Sequence, residues 1–382
     1  MPPVTRTLPT PEAEALLGLT RDLCEGEVAP LVADHEASGT FPRELFRTLG
    51  KAGLLGLAYP EEQGGGGQPY EVYLQVLEEL GRVWAAVAVG VSVHTLACFP
   101  VAQWGSAEQQ ERFLPDMLGG ELLGAYCLSE AHSGSDAAAL STRAVRDGDD
   151  YLVDGAKAWV THGGSADFYN LMVRTGGDGP GGISCLLADA STPGLVPQRP
   201  EKKMGMRASH TTTIQLDAAR VPADRLIAGE GDGFKIAMSA LDSGRLGIAA
   251  CAVGLAQAAL DLAVSYAGER KQFGKAISDF QGVSFLLADM ATQTEAARQL
   301  YLSAARLKDA GRPYGPQASM AKLFATDTAM RVTTDAIQVL GGYGYVEDFA
   351  AERYFREAKI LQIFEGTNQV QRIVIGRSLT RP

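Results

Sequence analysis

The chain has 382 residues, of which 46% are hydrophobic and 21% are charged, and this composition excludes disordered, collagenous and coiled-coil classes of protein. At roughly 100–200 residues per domain, the length allows two or three domains with large cores. The formal net charge of −11 argues against nucleic acid or an anionic membrane as a partner, because both attract basic surfaces.

The cysteines and the N-terminus indicate the compartment. The five cysteines include no CxxC pair, which argues against a disulfide framework or a thiolate zinc site and favours a reducing compartment. Residues 1–14 combine prolines with two glutamates and no apolar stretch, so we expect neither a signal peptide nor a transit peptide. The most apolar window, residues 83–93, is too short to span a bilayer. We therefore expect a cytoplasmic protein.

Residues 1–123 have the pattern of a helical domain. Residues 10–12 combine an N-cap, a proline at the first helical position and an acid in the first turn. A second helix start lies at residues 40–44, where the apolar residues that follow recur at helical spacing. Residues 106–109 have the sequence of a capping box, which predicts a further helix.

Residues 124–232 instead contain short β-prone runs that alternate with glycine, aspartate and proline, a spacing that predicts an antiparallel sheet or barrel. Residues 177–182 match the GxGxxG pattern by letter. The dinucleotide-binding motif needs a helix after it, whereas here a strand follows, so we interpret the segment as a hairpin loop. The predicted strands are residues 151–153, 158–161, 169–175, 183–188 and 211–216.

Residues 233–382 return to helical patterns. Residues 237–267 are rich in alanine and leucine, with small residues on several faces, and predict a long, largely buried helix. Further helices are predicted at residues 280–310, 316–340 and 367–379. The predicted order is therefore all-α, then β, then all-α.

Glu365 is the strongest candidate for chemistry. It ends an apolar run and is followed by Gly366 and a helix start. A partly buried glutamate with no adjacent cation has its pKa raised toward neutrality, as a general base requires. Gly366 permits a close approach of ligand to backbone, and amides near a helix start can bind an oxyanion. The alternative is a loop glutamate that caps the helix.

Four further segments carry candidate ligand-binding groups. Residues 270–281 place cations beside an aromatic side chain, which suits a pyrophosphate but equally a helix C-terminus. Residues 125–136 offer hydroxyls and a glycine after a strand, for a flat polar ring or simply a polar loop. Trp159, near Thr161, presents either a stacking face or a core side chain. Residues 338–345 read as a glycine-capped helix end.

Together, and in this order, the five segments resemble the acyl-CoA dehydrogenase family, flavoenzymes that introduce a trans-2 double bond into acyl thioesters. The resemblance covers nearly the whole chain, and its most specific parts are residues 270–281 and 364–369. It implies an α+β multi-domain fold that acts in fatty acid β-oxidation, usually as a homotetramer with FAD. The implied domains are an N-terminal helical domain (1–123), a central antiparallel β-barrel (124–232) and a C-terminal four-helix bundle (233–382).

The resemblance also implies the site residues. Glu365 matches the base that removes the α-proton while a hydride passes from the β-carbon to the flavin, and its amide would hold the thioester oxygen together with a ribityl hydroxyl. The residues implied at the flavin are Tyr126, Leu128, Ser129, Gly134, Ser135, Trp159 and Thr161, with Thr367 and Gln369 closing over it. Those implied at the FAD of a neighbouring subunit are Arg270, Gln272, Phe273, Gln281, Gln338, Gly341 and Gly342. Those implied at the substrate are Ser135, Asp242, Arg245 and Gly366.

The long helix refines the resemblance. Some family members carry the base there, at the position that Gly244 occupies in this chain, so Glu365 has no rival. Residues 242–245 resemble the short-chain members, in which they meet the pantetheine arm; the alternative is a helical charge pair between Asp242 and Arg245. By position in the family, the pocket floor lies around His94, Leu96 and Phe99. Two departures from the family are Ala131, followed by His132, in place of a proline and Phe364 in place of a tyrosine.

The leading hypothesis is an FAD-dependent acyl-CoA dehydrogenase that passes electrons to an electron-transferring flavoprotein. Three alternatives stay open: the same reaction on an acyl-carrier-protein thioester, an oxygen-using acyl-CoA oxidase, and a non-catalytic binding or assembly protein of the same fold. No metal is expected, because the five histidines show no helical metal spacing. The sequence does not define the acyl chain length.

Overall fold

The computed structural model describes residue 4 and residues 6–380. An N-terminal helical domain is followed by a middle β domain and a C-terminal helical domain, in the predicted order. The exact domain boundaries stay predictions. The N-terminal helices are α1 (Pro11–Leu23), α2 (Val32–Ser38), α3 (Arg43–Lys51), α4 (Tyr70–Val83), α5 (Ala85–Trp104) and α6 (Ala107–Gly119).

Both predicted helix starts with side-chain caps are confirmed. The Thr10 hydroxyl accepts a hydrogen bond from the Ala13 N–H, and Pro11 is the first residue of α1. Ser106 and Gln109 form the reciprocal capping box at the start of α6. These local signals fix where the helices begin, and packing against α4 and α5 then decides how they are arranged.

The middle β domain contains eight strands that follow the order β6-β7-β3-β2-β4-β5-β8, with β1 beside β4. Apolar side chains from β1 to β7 form one core, so the sheet curves around it. The hairpin at residues 177–182 is confirmed, since the strands on either side of it pair antiparallel. The strands are β1 (Gly124–Cys127), β2 (Arg143–Asp147), β3 (Asp150–Thr161), β4 (Phe168–Arg174), β5 (Ile183–Asp189), β6 (Leu195–Pro197), β7 (Thr211–Pro222) and β8 (Leu226–Ile227).

The sheet is not wholly antiparallel as predicted. β1 pairs parallel with β4 along its four residues, and β2 meets β4 in a parallel pair at Arg143 and Arg174. The β2–β3 hairpin lies between β1 and β4 in the chain, so β1 and β4 run in the same direction after this crossover.

In the C-terminal domain, α9 runs antiparallel to α7. A hydrogen bond of 2.8 Å joins the hydroxyls of Ser243 and Tyr314 near the start of α9, and the rings of Tyr266 and Tyr343 lie 6.3 Å apart near its end. Buried alanines on both helices permit this close packing. The elements are α7 (Gly233–Glu269), the hairpin β9 (Lys271–Gln272) and β10 (Lys275–Ala276), α8 (Gln281–Asp309), α9 (Gly315–Leu340), α10 (Ala351–Leu361) and α11 (Asn368–Thr380).

Helices α5 and α7 are long and apolar enough to cross a membrane by length and composition, so the expectation that the first of these segments is too short is wrong. However, 94% of the apolar window of α5 and 83% of that of α7 are buried inside the protein. Both helices therefore have the surroundings of core helices.

Candidate active site

Glu365 lies in the short loop between α10 and α11, where the backbone is unusual. Its φ is +52°, and Gly366 follows with φ +85°. A Cβ on Gly366 would lie 2.7 Å from the Gln371 amide nitrogen, so only glycine fits there. That amide donates to the carbonyls of Glu365 at 3.2 Å and Gly366 at 2.9 Å. The loop is thus held in a conformation that a free peptide rarely adopts.

The carboxylate of Glu365 is buried and makes no hydrogen bond to the described residues. Both of its oxygens are inaccessible to solvent and have no hydrogen-bond partner among the described residues. Burial raises the pKa of Glu365 to about 7, while the charges of Lys322 and Arg245 act to lower it. The raised pKa agrees with the prediction, but the expected absence of nearby cations is wrong, because α9 and α7 each supply one.

Helix α7 passes directly against the carboxylate at Gly244. A Cβ built on Gly244 would lie 2.2 Å from the Oε2 atom of Glu365, so the carboxylate can keep this position only beside a glycine. Burial raises the pKa values of four nearby groups, and the negative charge of Glu365 adds to that increase. These are Tyr70 and Tyr73 on α4, Tyr126 on β1 and Cys251 on α7.

Gly244 also lines a cavity of about 70 Å³ between α4, α5 and α7. Leu96 and Phe99 are at this cavity, as the sequence suggests. His94 is not: its ring is fully buried between the Met117 carbonyl at 2.8 Å and the Gly124 N–H at 3.0 Å, so its place in the pocket floor is wrong. The other lining residues are Ala58, Tyr59, Pro60, Tyr70, Ser92, Thr95, Gln103, Ala240, Ser243 and Lys308.

The residues expected at one side of the flavin converge at β1 and β3. The Ala158 N–H donates to the Ser129 carbonyl at 2.9 Å, and the Lys157 ammonium donates to the Leu128 carbonyl at 3.2 Å. Trp159 stands in the irregular pairing between β3 and β7, with φ +61° and 65% of its surface exposed. The exposed indole lies near the loop that follows β1, and it offers a stacking face to a flat ring.

The turn after β1, which contains Ala131 and His132, is closed by backbone and side-chain hydrogen bonds. The backbones of Glu130 and Ser133 pair across it, and the buried Glu130 carboxylate accepts from the Thr142 N–H at 2.9 Å and from the Lys157 ammonium at 2.7 Å. Gly134 and Ser135 follow in the same turn and are exposed. Together with the Tyr126 hydroxyl, which is buried without a partner, this donor-rich surface fits a flavin.

A second group of predicted flavin residues lies at the opposite end of the C-terminal domain. Arg270 follows the last residue of α7, and 26 residues of helix separate it from Gly244, about 39 Å at 1.5 Å per residue. Phe273, at the tip of the β9–β10 hairpin, has φ +53° and is 94% exposed. The group comprises Arg270, Gln272, Phe273, Gln281, Gln338, Gly341 and Gly342, all exposed. Within one chain, it does not meet Glu365.

The remaining predicted residues have identifiable local contacts. Arg245 forms an ion pair of 2.6 Å with Asp242, the helical pair that the spacing allows. The Thr367 hydroxyl accepts from the Val370 N–H and so caps α11, while Gln369 is exposed at the start of that helix.

Sequence reasoning missed the polar residues that support the loop. Lys322 on α9 is completely buried, and its ammonium donates to the Gly366 carbonyl at 2.9 Å. Asn368 and Gln371, at the start of α11, are also buried and bind the same loop or its neighbours. The sequence signal for Lys322 is that it is the single lysine in an alanine-rich helix. Asn368 and Gln371 have no comparable signal in the sequence.

Comparison with known proteins identifies the family. The models of the N-terminal, middle and C-terminal domains of acyl-CoA dehydrogenase match residues 10–121, 125–219 and 231–380. An acyl-CoA dehydrogenase of Bacillus subtilis (strain 168) is 44% identical over 372 residues, which cover 97% of this chain and 98% of that protein.

Two solved structures extend the comparison. The butyryl-CoA dehydrogenase of Megasphaera elsdenii superimposes with a TM-score of 0.96 at 40% identity, covering 99% of this chain and all of that one. A structure described as the electron transferring flavoprotein of Acidaminococcus fermentans contains a chain with a TM-score of 0.96 and 42% identity, with 99% and 100% covered. The chain therefore belongs to the acyl-CoA dehydrogenase family of FAD-dependent oxidoreductases.

Proposed function

We propose that this protein catalyses the α,β-dehydrogenation of a short acyl-CoA thioester, with Glu365 as the base that removes the α-proton. The observation that carries the proposal is the state of its carboxylate. Both oxygens are buried beside a cavity-lining glycine and have no partner in the part of the chain that the structure describes, and an unpaired buried carboxylate is costly unless a ligand group meets it.

The pKa of Glu365 suits the chemistry. At about 7, it leaves a substantial ionised fraction at neutral pH while keeping the carboxylate basic enough to take a carbon-bound proton. The Glu365 N–H has no hydrogen-bond acceptor among the described residues. A thioester oxygen bound there would be polarised, which acidifies the α-proton that the carboxylate takes.

FAD, when bound, supplies the acceptor for the hydride that leaves the β-carbon. The residues of this chain that would hold its ring system are those at β1 and β3, with Trp159 offering the stacking face and the residues 126–135 offering hydroxyl and backbone donors. The distant group around Arg270 would meet the FAD of a neighbouring subunit. This arrangement requires an assembly, and we propose a homotetramer built from two such dimers.

The size of the cavity favours a short acyl group. An apolar cavity of about 150 Å³ accepts benzene, with six carbons, so about 70 Å³ accommodates about three carbons beyond the thioester. A butyryl group has three. The ion pair of Asp242 with Arg245 would lie along the pantetheine arm, together with Ser135 and Gly366.

The proposed electron acceptor is an electron-transferring flavoprotein. A relative with 42% identity occurs in a structure described by that name and by flavin-based electron bifurcation. We propose that the enzyme works in the cytoplasm, in fatty acid β-oxidation, without nucleic-acid or membrane partners.

Anaerobic absorbance spectroscopy of the purified holoenzyme tests the role of Glu365. Butyryl-CoA should bleach the flavin of the wild type at a rate that rises with pH through about 7, because the base acts when ionised. The Glu365→Gln variant should keep its yellow FAD and lose the bleaching. Glu357→Gln is the matched control, since Glu357 is also a buried carboxyl with a pKa raised by burial to about 7, but it lies on α10 with Arg353.

Undiminished bleaching in Glu365→Gln would overturn the proposal, and so would an equal loss in Glu357→Gln. Titration with acyl-CoAs of increasing length should give the strongest bleaching at four carbons. The same acyl group on acyl carrier protein, and peroxide release in air, separate this function from the carrier-protein and oxidase alternatives.

A further inference from the structure

Lys322 occupies an unusual position under the loop that carries the base. It is fully buried on α9, among buried side chains of that helix that are otherwise uncharged. Its ammonium donates to the Gly366 carbonyl at 2.9 Å and to the Asn368 side-chain oxygen at 2.9 Å. Within the described part of the chain, no carboxylate lies within ion-pair distance of it. Burying an ammonium in this way is unfavourable, so its position calls for a compensating role.

The contacts of Lys322 converge on the short stretch of chain that directly follows Glu365. Gly366 directly follows Glu365, and Asn368 begins α11. Asn368 is held in turn by the Thr326 hydroxyl at 2.9 Å and by Asp327 at 2.7 Å, both on α9. One helix face therefore fixes the segment that directly follows Glu365.

Lys322 also acts on the Glu365 carboxylate through its charge. Of the two cations that lower the pKa of Glu365, Lys322 has the larger effect and Arg245 the smaller. Burial lowers the pKa of Lys322 to about 8, and the charge of Glu365 opposes that decrease. The ammonium is therefore largely protonated at neutral pH. The other titratable groups that face Glu365 are Tyr70 and Tyr73 on α4, Tyr126 on β1 and Cys251 on α7, which are neutral at that pH.

We propose that Lys322 is a positioning residue for the base: its ammonium clamps the Gly366 carbonyl and Asn368, and supplies the main positive charge that acts on the Glu365 carboxylate. The inference rests on the proposed role of Glu365. It adds that Lys322 positions the Glu365 carboxylate and favours its ionised form. Lys322 touches neither the reacting atoms nor the cofactor in this account.

Deuterium exchange into acetyl-CoA isolates the step that Lys322 affects. Acetyl-CoA has α-hydrogens but no β-carbon, so the holoenzyme in D2O can exchange its protons without hydride transfer. The exchange rate falls at low pH as Glu365 is protonated, and we call this part of the pH profile the acid limb. In Lys322→Gln and Lys322→Met, loss of the positive charge should raise the pKa of Glu365 and so move the acid limb upward by about one pH unit. Loss of the clamp should also lower the plateau rate by tenfold to about a hundredfold, because the carboxylate is no longer aimed.

Two further variants separate the clamp from the charge. Asn368→Ala keeps the ammonium and removes its side-chain partner, so the plateau should fall while the acid limb stays in place. Thr333→Val is the matched control: it removes another buried hydroxyl from α9, one that donates to the Ala329 carbonyl of its own helix at 2.8 Å, and should change neither the limb nor, beyond about threefold, the plateau. Thermal melting verifies that each variant is folded, and Asn368→Ala tests the clamp even if the lysine variants do not fold.

An unshifted acid limb with a wild-type plateau in the folded Lys322 variants would overturn the inference, as would a wild-type plateau in Asn368→Ala. These outcomes differ from a failure of the proposed function. In that case the wild type would not exchange at all, or Glu365→Gln would exchange as well as the wild type.

Discussion

Three residues of the candidate site share a rare backbone conformation. Glu365, Trp159 and Phe273 have φ values of +52°, +61° and +53°, in three separate segments of the chain. A non-glycine residue in this region costs about 1–3 kcal/mol and persists only where surrounding contacts impose it. The same three side chains are those assigned to the base, the flavin face and the neighbouring flavin. Four other described non-glycine residues, His162, Met206, Ala218 and Ala228, share this conformation, so the strain includes these three site positions without being confined to them.

Gly244→Ala should disable the base without removing it. The added methyl would occupy the space of the Glu365 Oε2 atom, so the carboxylate must turn away from the cavity. We expect kcat for butyryl-CoA to fall by about a hundredfold, while FAD content stays at the wild-type level. Steady-state kinetics and the flavin spectrum measure the two quantities.

Gly268→Ala is the matched control, because it makes the same substitution near the other end of α7, where an added Cβ meets nothing within 4 Å. It should leave kcat unchanged and stabilise the helix by about 0.5–1 kcal/mol. A wild-type kcat in Gly244→Ala would show that the carboxylate has room to move and would contradict the geometry described.

The sequence predicts some of these residues and not others, for physical reasons. Glu365 and Gly366 are recognisable because the chemistry of the loop is local in the chain. The pKa of Glu365 is predicted in the right direction, since burial dominates it. Lys322 is 43 residues away in sequence, and only the packing of α9 under the loop brings its charge there. The periodicity of apolar residues predicts the helix α9 but not which loop it packs against.

At the scale of the elements, α5 forms one wall of the cavity through a single helical face. Ser92, Thr95, Leu96, Phe99 and Gln103 line the cavity, and their spacing of three, four and seven residues places them on one side of a helix. His94 is two residues before Leu96, and in an α-helix this spacing turns its side chain about 200° away from that of Leu96. His94 therefore faces α6 and β1 instead of the cavity. Helical geometry therefore corrects a prediction made from sequence position alone.

Phe99→Ala should lengthen the preferred substrate. Removing the ring enlarges a cavity that now accommodates about three carbons, and each additional buried methylene contributes about tenfold or more to discrimination. We expect the ratio of kcat/KM for octanoyl-CoA to that for butyryl-CoA to rise at least about tenfold. Steady-state kinetics with acyl-CoAs of four to eight carbons measure it.

Phe285→Ala makes the same truncation on α8, at a side chain that is 64% exposed and outside the cavity. It should leave the ratio unchanged. If Phe99→Ala lowers both rates equally, the ring does not limit the acyl chain, and the floor of the pocket lies elsewhere.

Prediction of the elements themselves succeeds where the signal is local. The capped starts of α1 and α6 and the hairpin between β4 and β5 follow from residues next to each other in the chain. The parallel pairing of β1 with β4 depends on partners more than forty residues apart, for which the sequence gives no register. Helix α10 is missed although its sequence carries the signal, since Ala351, Tyr354, Phe355, Ala358 and Leu361 recur at helical spacing.

At the scale of the whole molecule, the proposed site needs two chains. About 39 Å of helix separates Gly244 from Arg270, so under the proposed function the base of one chain and the Arg270 group of the same chain would serve different flavins. Symmetric dimers satisfy such an arrangement, because each subunit gives one half-site and receives the other.

Mixing two inactive variants should therefore restore activity. Glu365→Gln and Arg270→Ala each disable every site of their own homodimer, the second by weakening FAD binding. In a mixed dimer, one of the two sites receives both native residues. Random exchange of subunits should thus recover roughly a quarter of the wild-type activity, measured after co-refolding or co-expression in the presence of FAD.

Mixing Glu365→Gln with itself, under the same treatment, is the control and should stay inactive. Mixtures of the two variants that also stay inactive, although mass spectrometry detects hybrid dimers, would show that Arg270 serves the flavin of its own chain or none.

Helix α5 is buried on nearly every side, and the same helix lines the cavity that is proposed to take the acyl chain. This gives the protein little freedom to change its substrate separately from its stability. A descendant that adapts to longer fatty acids must first tolerate a looser interior, or acquire a compensating change elsewhere beforehand. Diversification of substrate range should therefore be gradual in lineages that live at high temperature, and easier in those with stability to spare.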